Sequence, residues 1–185
     1  MKFKKGPHRS PLKSSCVVMR VCKPKNMDFD KGVAHPGAFE LSSQDKAHIP
    51  VMLSVYESRL TTAHQAINFI PGTGPDTATF FVPVKRVRRI DVSPDWKALD
   101  VVWDDKMDPA AGGGTVRSTA PGADGHSGIL NMYVSGIANY KVLRKQICAE
   151  LAEAASLRHF PCRVYACIPD FALDLYYRLK SRFIK

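Results

Sequence analysis

Residues 51–70 read Val-Met-Leu-Ser-Val-Tyr-Glu-Ser-Arg-Leu-Thr-Thr-Ala-His-Gln-Ala-Ile-Asn-Phe-Ile. No other stretch restricts the fold as much, because it asks for a strand and a helix in immediate succession. Its first half is an apolar run of β-formers and predicts one buried strand. Thr62 then stands three residues before Gln65, the capping-box spacing in which each side chain satisfies a backbone N–H of the other. Ala63, Ala66, Ile67 and Ile70 follow at i, i+3, i+4 and i+7, one apolar helix face, and Pro71-Gly72 ends it. Ser54, Tyr56, Glu57, Ser58 and Arg59 fall at the strand end and in the turn, where two rigid elements hold side chains in fixed directions.

A chain of 185 residues with 45% hydrophobic and 24% charged residues fits one globular domain with a real core. No apolar run approaches the roughly 18–20 residues of a membrane span, and no apolar segment follows the basic start as in a secretory signal. The five cysteines, Cys16, Cys22, Cys148, Cys162 and Cys167, are odd in number and scattered, which suits free thiols in a cytoplasmic protein. Charge is uneven. Of the 27 Lys/Arg, eight fall in residues 1–25 with no Asp/Glu, which leaves 19 facing all 17 acidic residues. The expected organisation is therefore a basic flexible arm over 1–15 and a single domain over 16–185. Such an arm suits a phosphate backbone or an acidic partner, or is simply a solvated terminus.

Taken in order, Cys16–Cys22 predicts the first strand, interrupted by Arg20. An arginine there needs a partner if it is buried. It either faces outward or binds an anion at a cleft. Residues 23–50 are long and aperiodic, with one short helical turn expected at Ser42–Asp45. Thr79–Val84 predicts a strand that Pro83 places at an edge or bulge. Lys85, Arg86, Arg88 and Arg89 follow as a dense basic cluster, either a solvated continuation of the strand or a nucleic-acid contact. Ala98–Trp103 predicts a strand ended by Asp104-Asp105, and 106–125 a glycine-rich loop. The triple glycine there lacks the Gly-Lys-Ser/Thr of a phosphate loop.

His126 stands in Asp124-Gly125-His126-Ser127-Gly128 ahead of an alternating strand, Ile129–Val134. It is a ligand-contacting or a turn-stabilising histidine. Gly-His-Ser-Gly is not a serine-hydrolase elbow, because the spacing is short and the strand follows the serine. Asn139–Leu157 predicts the longest helix, with Tyr140, Leu143, Ile147, Leu151 and Ala154 inward. Arg163–Ile168 predicts a strand on which Cys162 and Cys167 diverge, so no metal site is expected. Phe171–Phe183 predicts a last helix. Strands first and long helices late predict an α+β fold, with mixed or antiparallel strands in a split sheet and two long C-terminal helices.

The succession of Arg20 within Val17–Val21, then Ser54, Tyr56 and Glu57 within Met52–Ala66, resembles bacterial ADP-ribosyltransferase-like toxins. That resemblance implies NAD as cofactor, with Arg20 on its diphosphate, Tyr56 stacked on nicotinamide and Ser54 hydrogen-bonded nearby. Glu57, Asp104 or His126 would then stabilise the oxocarbenium-like state or activate the acceptor. It also implies a macromolecular acceptor, nucleic acid or protein, and an antitoxin partner. Glu-x-Glu is missing from this chain. Two competing expectations need neither NAD nor Arg20. One is a basic nucleic-acid- or partner-binding module using the arm and Lys85–Arg89. The other is a metal-independent ribonuclease toxin using His126 with a lysine or arginine.

Overall fold

The computed structural model describes residues 6–28, 32–47, 50–68, 77–104, 123–134 and 136–159. The elements are β1 (Val17–Cys22), β2 (Met27–Asp28), β3 (Val33–Ala34), α1 (Ser43–Ala47), β4 (Met52–Glu57), α2 (Ala63–Asn68), β5 (Ala78–Pro83), α3 (Val84–Val87), β6 (Asp100–Trp103), β7 (His126–Leu130), α4 (Tyr140–Ala154) and β8 (Ser156–His159). The fold is α+β, as expected. One six-stranded sheet runs β6-β7-β4-β1-β5-β8, and β2 and β3 form a separate ribbon. Every adjacent pair is antiparallel. The expected strand Arg163–Ile168 and helix Phe171–Phe183 lie outside the described residues, as do Cys162, Cys167 and residues 105–122. Among the described residues, no helix is long and apolar enough to cross a membrane, and Cys16, Cys22 and Cys148 are free, buried thiols.

Alternation along β1 and β4 divides the apolar side chains between two faces. Val18, Cys22, Leu53 and Val55 join the main core with Phe39, Phe80, Ile129, Ile147 and Leu151, under α4 and the 3-10 turn Pro36–Phe39. Met19, Val21 and Tyr56 join Ala66 of α2 in a smaller core on the other face. The strand–helix unit that organised the sequence is realised as read. The Thr62 backbone N–H donates to Gln65 Oε1 at 2.9 Å, and the Gln65 N–H donates to Thr62 Oγ1 at 3.2 Å.

Four expectations change on contact with the tertiary structure. The segment expected as a flexible arm is packed over residues 6–15. Arg9 N–H donates to Trp103 O, Trp103 N–H to Ser10 O and Leu12 N–H to Val101 O, all at 2.8–2.9 Å, and Leu12 is buried. The edge strand β6 carries unpaired ladder groups, and this segment covers them. Second, the basic cluster after β5 does not continue the strand. It forms the single turn α3, whose Val84 and Val87 are buried. Third, the helix expected to reach Leu157 stops at Ala154. Ala155 turns extended, and Ser156–His159 pairs with β5, because an open sheet edge outweighs local helix propensity. Fourth, the strand expected over Ile129–Val134 begins earlier and spans His126–Leu130, so His126 is itself a strand residue.

Thr62→Ala should therefore cost about 1 kcal/mol, read as a lower urea midpoint at unchanged slope, while Ser58→Ala, in the turn outside the cap, should leave the midpoint within about 0.5 kcal/mol of wild type.

Candidate functional site

The two central strands barely touch. β1 pairs with β4 only at Val18↔Glu57 and Met19↔Tyr56, whereas β1 pairs with β5 from Val17 to Cys22. Continuing the β1–β4 register would set Ser54 opposite Val21. Instead the Ser54 N–H donates to Asp45 Oδ1 at 2.8 Å and the Ser54 carbonyl accepts from Arg20 Nη1 at 2.7 Å. Arg20 Nη2 meets Asp45 Oδ2 at 3.1 Å, and Arg20 Nε donates to the Ala38 carbonyl at 3.1 Å. An ion pair thus stands where backbone rungs would be. Asp45 is held by α1 as well: Ser42 N–H and Oγ–H donate to Oδ2 at 2.9 and 2.7 Å, and Asp45 N–H donates to Ser42 Oγ. The cap expected at Ser42–Asp45 exists, and it positions the partner that Arg20 needed. Arg20 faces the main core between Val18 and Cys22, with 12% of its side chain exposed.

Tyr56, opposite Met19 on one side, is opposite His126 on the other. The two rings meet edge-on with centroids 5.4 Å apart. Tyr56 and His126 therefore share one interior face, 4% and 3% exposed, whereas Arg20 projects with Val18 and Cys22 from the opposite face of the sheet. Burial pushes the Tyr56 phenol up; the Arg20 guanidinium opposes that and Asp45 adds to it. Glu57 is fully buried and turned to its own loop, with Oε2 accepting the Arg59 N–H at 2.8 Å and Oε1 accepting Arg59 Nε at 2.6 Å. Of the basic cluster, Arg88 is used internally. It donates to Asp100 Oδ1, Leu12 O and Ser14 Oγ at 2.8, 2.6 and 2.9 Å, which pins the N-terminal segment to β6. Lys85, Arg86 and Arg89 are exposed.

Two arrangements were not legible beforehand. Asp104, at the end of β6, is buried between two imidazoles: its Oδ2 lies 3.4 Å from His126 Nδ1 and its Oδ1 3.5 Å from His8 Nδ1. Gly125 shapes the approach to His126, since a Cβ there would collide with the Thr61 hydroxyl. Ser127, a β7 residue, is buried and its Oγ donates to the Gly125 carbonyl. The other arrangement is an aromatic stack at the start of α4. Trp96 and Tyr140 lie parallel with centroids 6.4 Å apart, and Tyr133 meets Tyr140 edge-on at 5.4 Å. Arg144 lies over the Tyr140 ring and donates to its hydroxyl at 2.8 Å. Tyr133 is 48% exposed. Among the described residues, no group of three or more His, Cys, Asp or Glu could hold a metal ion.

Asp45 gives the pH prediction. Burial would raise its carboxyl pKa, but the Arg20 guanidinium and the hydrogen bonds from Ser54 and Ser42 outweigh burial, and the net shift is down. A depressed folded-state pKa contributes stability that is complete above the unfolded value of about 3.9 and is lost as pH falls through the folded value. Wild type should lose stability on that acid limb, and Asp45→Asn should be less stable at pH 7 with a flatter limb, both read from urea melts at stepped pH. Asp45→Ala, which strands a buried guanidinium, should cost about 3–5 kcal/mol.

The chain matches no protein-family model, no curated protein and no solved structure.

Proposed function

We propose that this protein binds single-stranded nucleic acid on the surface formed by Tyr133, the start of α4 and α3. The observation that carries this is the stack Trp96–Tyr140–Tyr133 with Arg144 beside it. Tyr133, braced edge-on by a Tyr140 that is itself stacked on Trp96, loses little freedom when a base stacks on it. Lys141 and Lys145 are exposed on the same helix end, and α3, with exposed Lys85, Arg86 and Arg89, packs against α4. Lys141, Arg144 and Lys145 occupy the first half of α4, while Glu150 and Glu153 occupy the second. This order opposes the helix dipole, at about 0.3–1 kcal/mol per end charge. Helix stability would favour the reverse, so the cations are better explained by an anionic ligand. The overall charge of +10 adds long-range attraction for a polyanion.

ADP-ribosyl transfer from NAD to a macromolecule is the second reading, favoured by the contact of Tyr56 with His126 and by Arg20 on the neighbouring strand. It requires Arg20 to exchange Asp45 and two carbonyls for a diphosphate, and Tyr56 to leave its buried position for nicotinamide. Ser54 would serve it with its side chain, since its backbone groups are engaged.

Fluorescence anisotropy with labelled single-stranded RNA and DNA separates these. Log affinity should fall linearly with log salt concentration. Tyr133→Ala should weaken binding by about 1–3 kcal/mol, and Lys145→Ala should reduce the salt slope by about 1. No binding at low salt, or a Tyr133→Ala variant that binds like wild type, removes the reading. Calorimetric heat with NAD that vanishes in Arg20→Lys would favour the second.

A further inference from the structure

The buried carboxylate between two imidazoles has no part in nucleic-acid binding as read above. Asp104 is inaccessible, and His126, on its inner side, is 3% exposed. His8, on its outer side, keeps 30% of its side chain in solvent. The array therefore runs from the interior to the surface. Its outer imidazole has an assigned tautomer: Nε2 accepts a hydrogen bond from Arg9 Nε at 3.2 Å, so Nδ1 carries the proton, 3.5 Å from Asp104 Oδ1. This is the arrangement that makes a histidine a general base, with a carboxylate behind the ring to fix its orientation and to stabilise the imidazolium. The guanidinium beside Nε2 supplies a cation at the place where an anionic substrate would sit. The local backbone is held to this purpose. Arg9 adopts φ 63°, a left-handed conformation costing on the order of 1 kcal/mol for a non-glycine residue, and hydrogen bonds to Trp103 on both sides keep it there.

We infer that His8, Arg9, Asp104 and His126 form a metal-independent acid–base centre for cleaving RNA, an inference that rests on the nucleic-acid reading above. In the step, the ribose 2′-hydroxyl takes the place of the Arg9 N–H at His8 Nε2 and gives up its proton there. The 2′-oxygen attacks the adjacent phosphorus, and a P–O2′ bond forms as the P–O5′ bond breaks. The departing 5′-oxygen takes the same proton back from His8. The products are a 2′,3′-cyclic phosphate and a free 5′-hydroxyl, with no oxidant, metal or second reactant consumed. Arg9 turns to the non-bridging oxygens and balances their growing charge. His8 is the catalytic residue. Asp104 positions it, and His126, held opposite Tyr56 by the β4–β7 register, positions Asp104. The Asp104 carboxylate stands 3.4 Å from His126 Nδ1 and 3.5 Å from His8 Nδ1.

The test uses the full chain, a labelled single-stranded RNA and the DNA of the same sequence, in EDTA, with anisotropy run in parallel. The expected result is RNA cut to fragments ending in 2′,3′-cyclic phosphate by mass spectrometry, with DNA intact for want of the 2′-hydroxyl. His8→Gln should slow cutting at least about 100-fold while binding RNA like wild type and keeping the Trp fluorescence of the folded state. His126→Gln should displace the rate–pH profile; a profile that does not move overturns its positioning role. RNA bound but left intact overturns the inference and leaves nucleic-acid binding standing, whereas neither binding nor cutting removes both. Cutting that survives His8→Gln, or equal cutting of DNA, overturns the assignment to this centre.

Discussion

The Arg20–Asp45 pair is the contact on which the rest of the sheet depends. β1 and β4 are the two middle strands, yet only two residue pairs join them directly. Beyond those, the Ser54 backbone would be stranded in a dry interior, where an unpaired N–H or carbonyl costs roughly 1–3 kcal/mol. A guanidinium and a carboxylate satisfy both groups at once. Neither charge would be tolerated alone at that depth. Together, and with Ser42 and Ala38 completing their hydrogen bonds, they substitute for ladder rungs and let the strands diverge without exposing backbone. A hydrophobic pair of the same volume could fill the space but could not pair with Ser54.

That substitution explains why residues 32–47 look aperiodic in sequence yet are well built. Their task is to deliver one carboxylate and one carbonyl to the seam. The turn Pro36–Phe39 brings the Ala38 carbonyl, and α1, a helix too short to be stable by itself, brings Asp45 from its own capping residue. Phe39 and Leu41 anchor the segment in the main core, so its conformation is fixed by burial and not by local propensity.

What could be read in advance divides along the same line. The capping box of Thr62 and Gln65, the cap at Ser42 and the strands around Val18, Val55 and Phe80 are local signals, with both partners within a few residues. The need of Arg20 for a partner was legible from desolvation alone. Its identity was not, because Asp45 lies 25 residues away in a segment with no period. The N-terminal segment misled for a related reason. Two prolines and several lysines have the composition of a tail, and the groups that hold it, Trp103, Val101 and Arg88, are supplied from far along the chain. His8 was overlooked with it. The helix read through to Leu157 failed because the β5 edge, again remote in sequence, captured Ser156–His159.

Tyr56 links the seam to the histidine array. It is the last β4 residue but one, paired with Met19 toward the seam and with His126 toward Asp104. The five β4–β7 pairs from Met52↔Leu130 to Tyr56↔His126 fix Tyr56 against His126, while a one-residue slip of β4 against β1 would change which β1 side chain stands opposite Tyr56. With only two direct pairs to hold it, the β1–β4 register is set mainly by where Arg20 and Asp45 grip Ser54, two residues from Tyr56. The same ion pair that keeps the sheet closed therefore also decides that Met19 stands against Tyr56. The buried Tyr56 ring meets the His126 imidazole edge-on, beside Asp104. Strand β4 thus carries both arrangements, the Arg20–Asp45 pair gripping its Ser54 backbone toward β1 and Tyr56 standing against His126 and Asp104 on the β7 side.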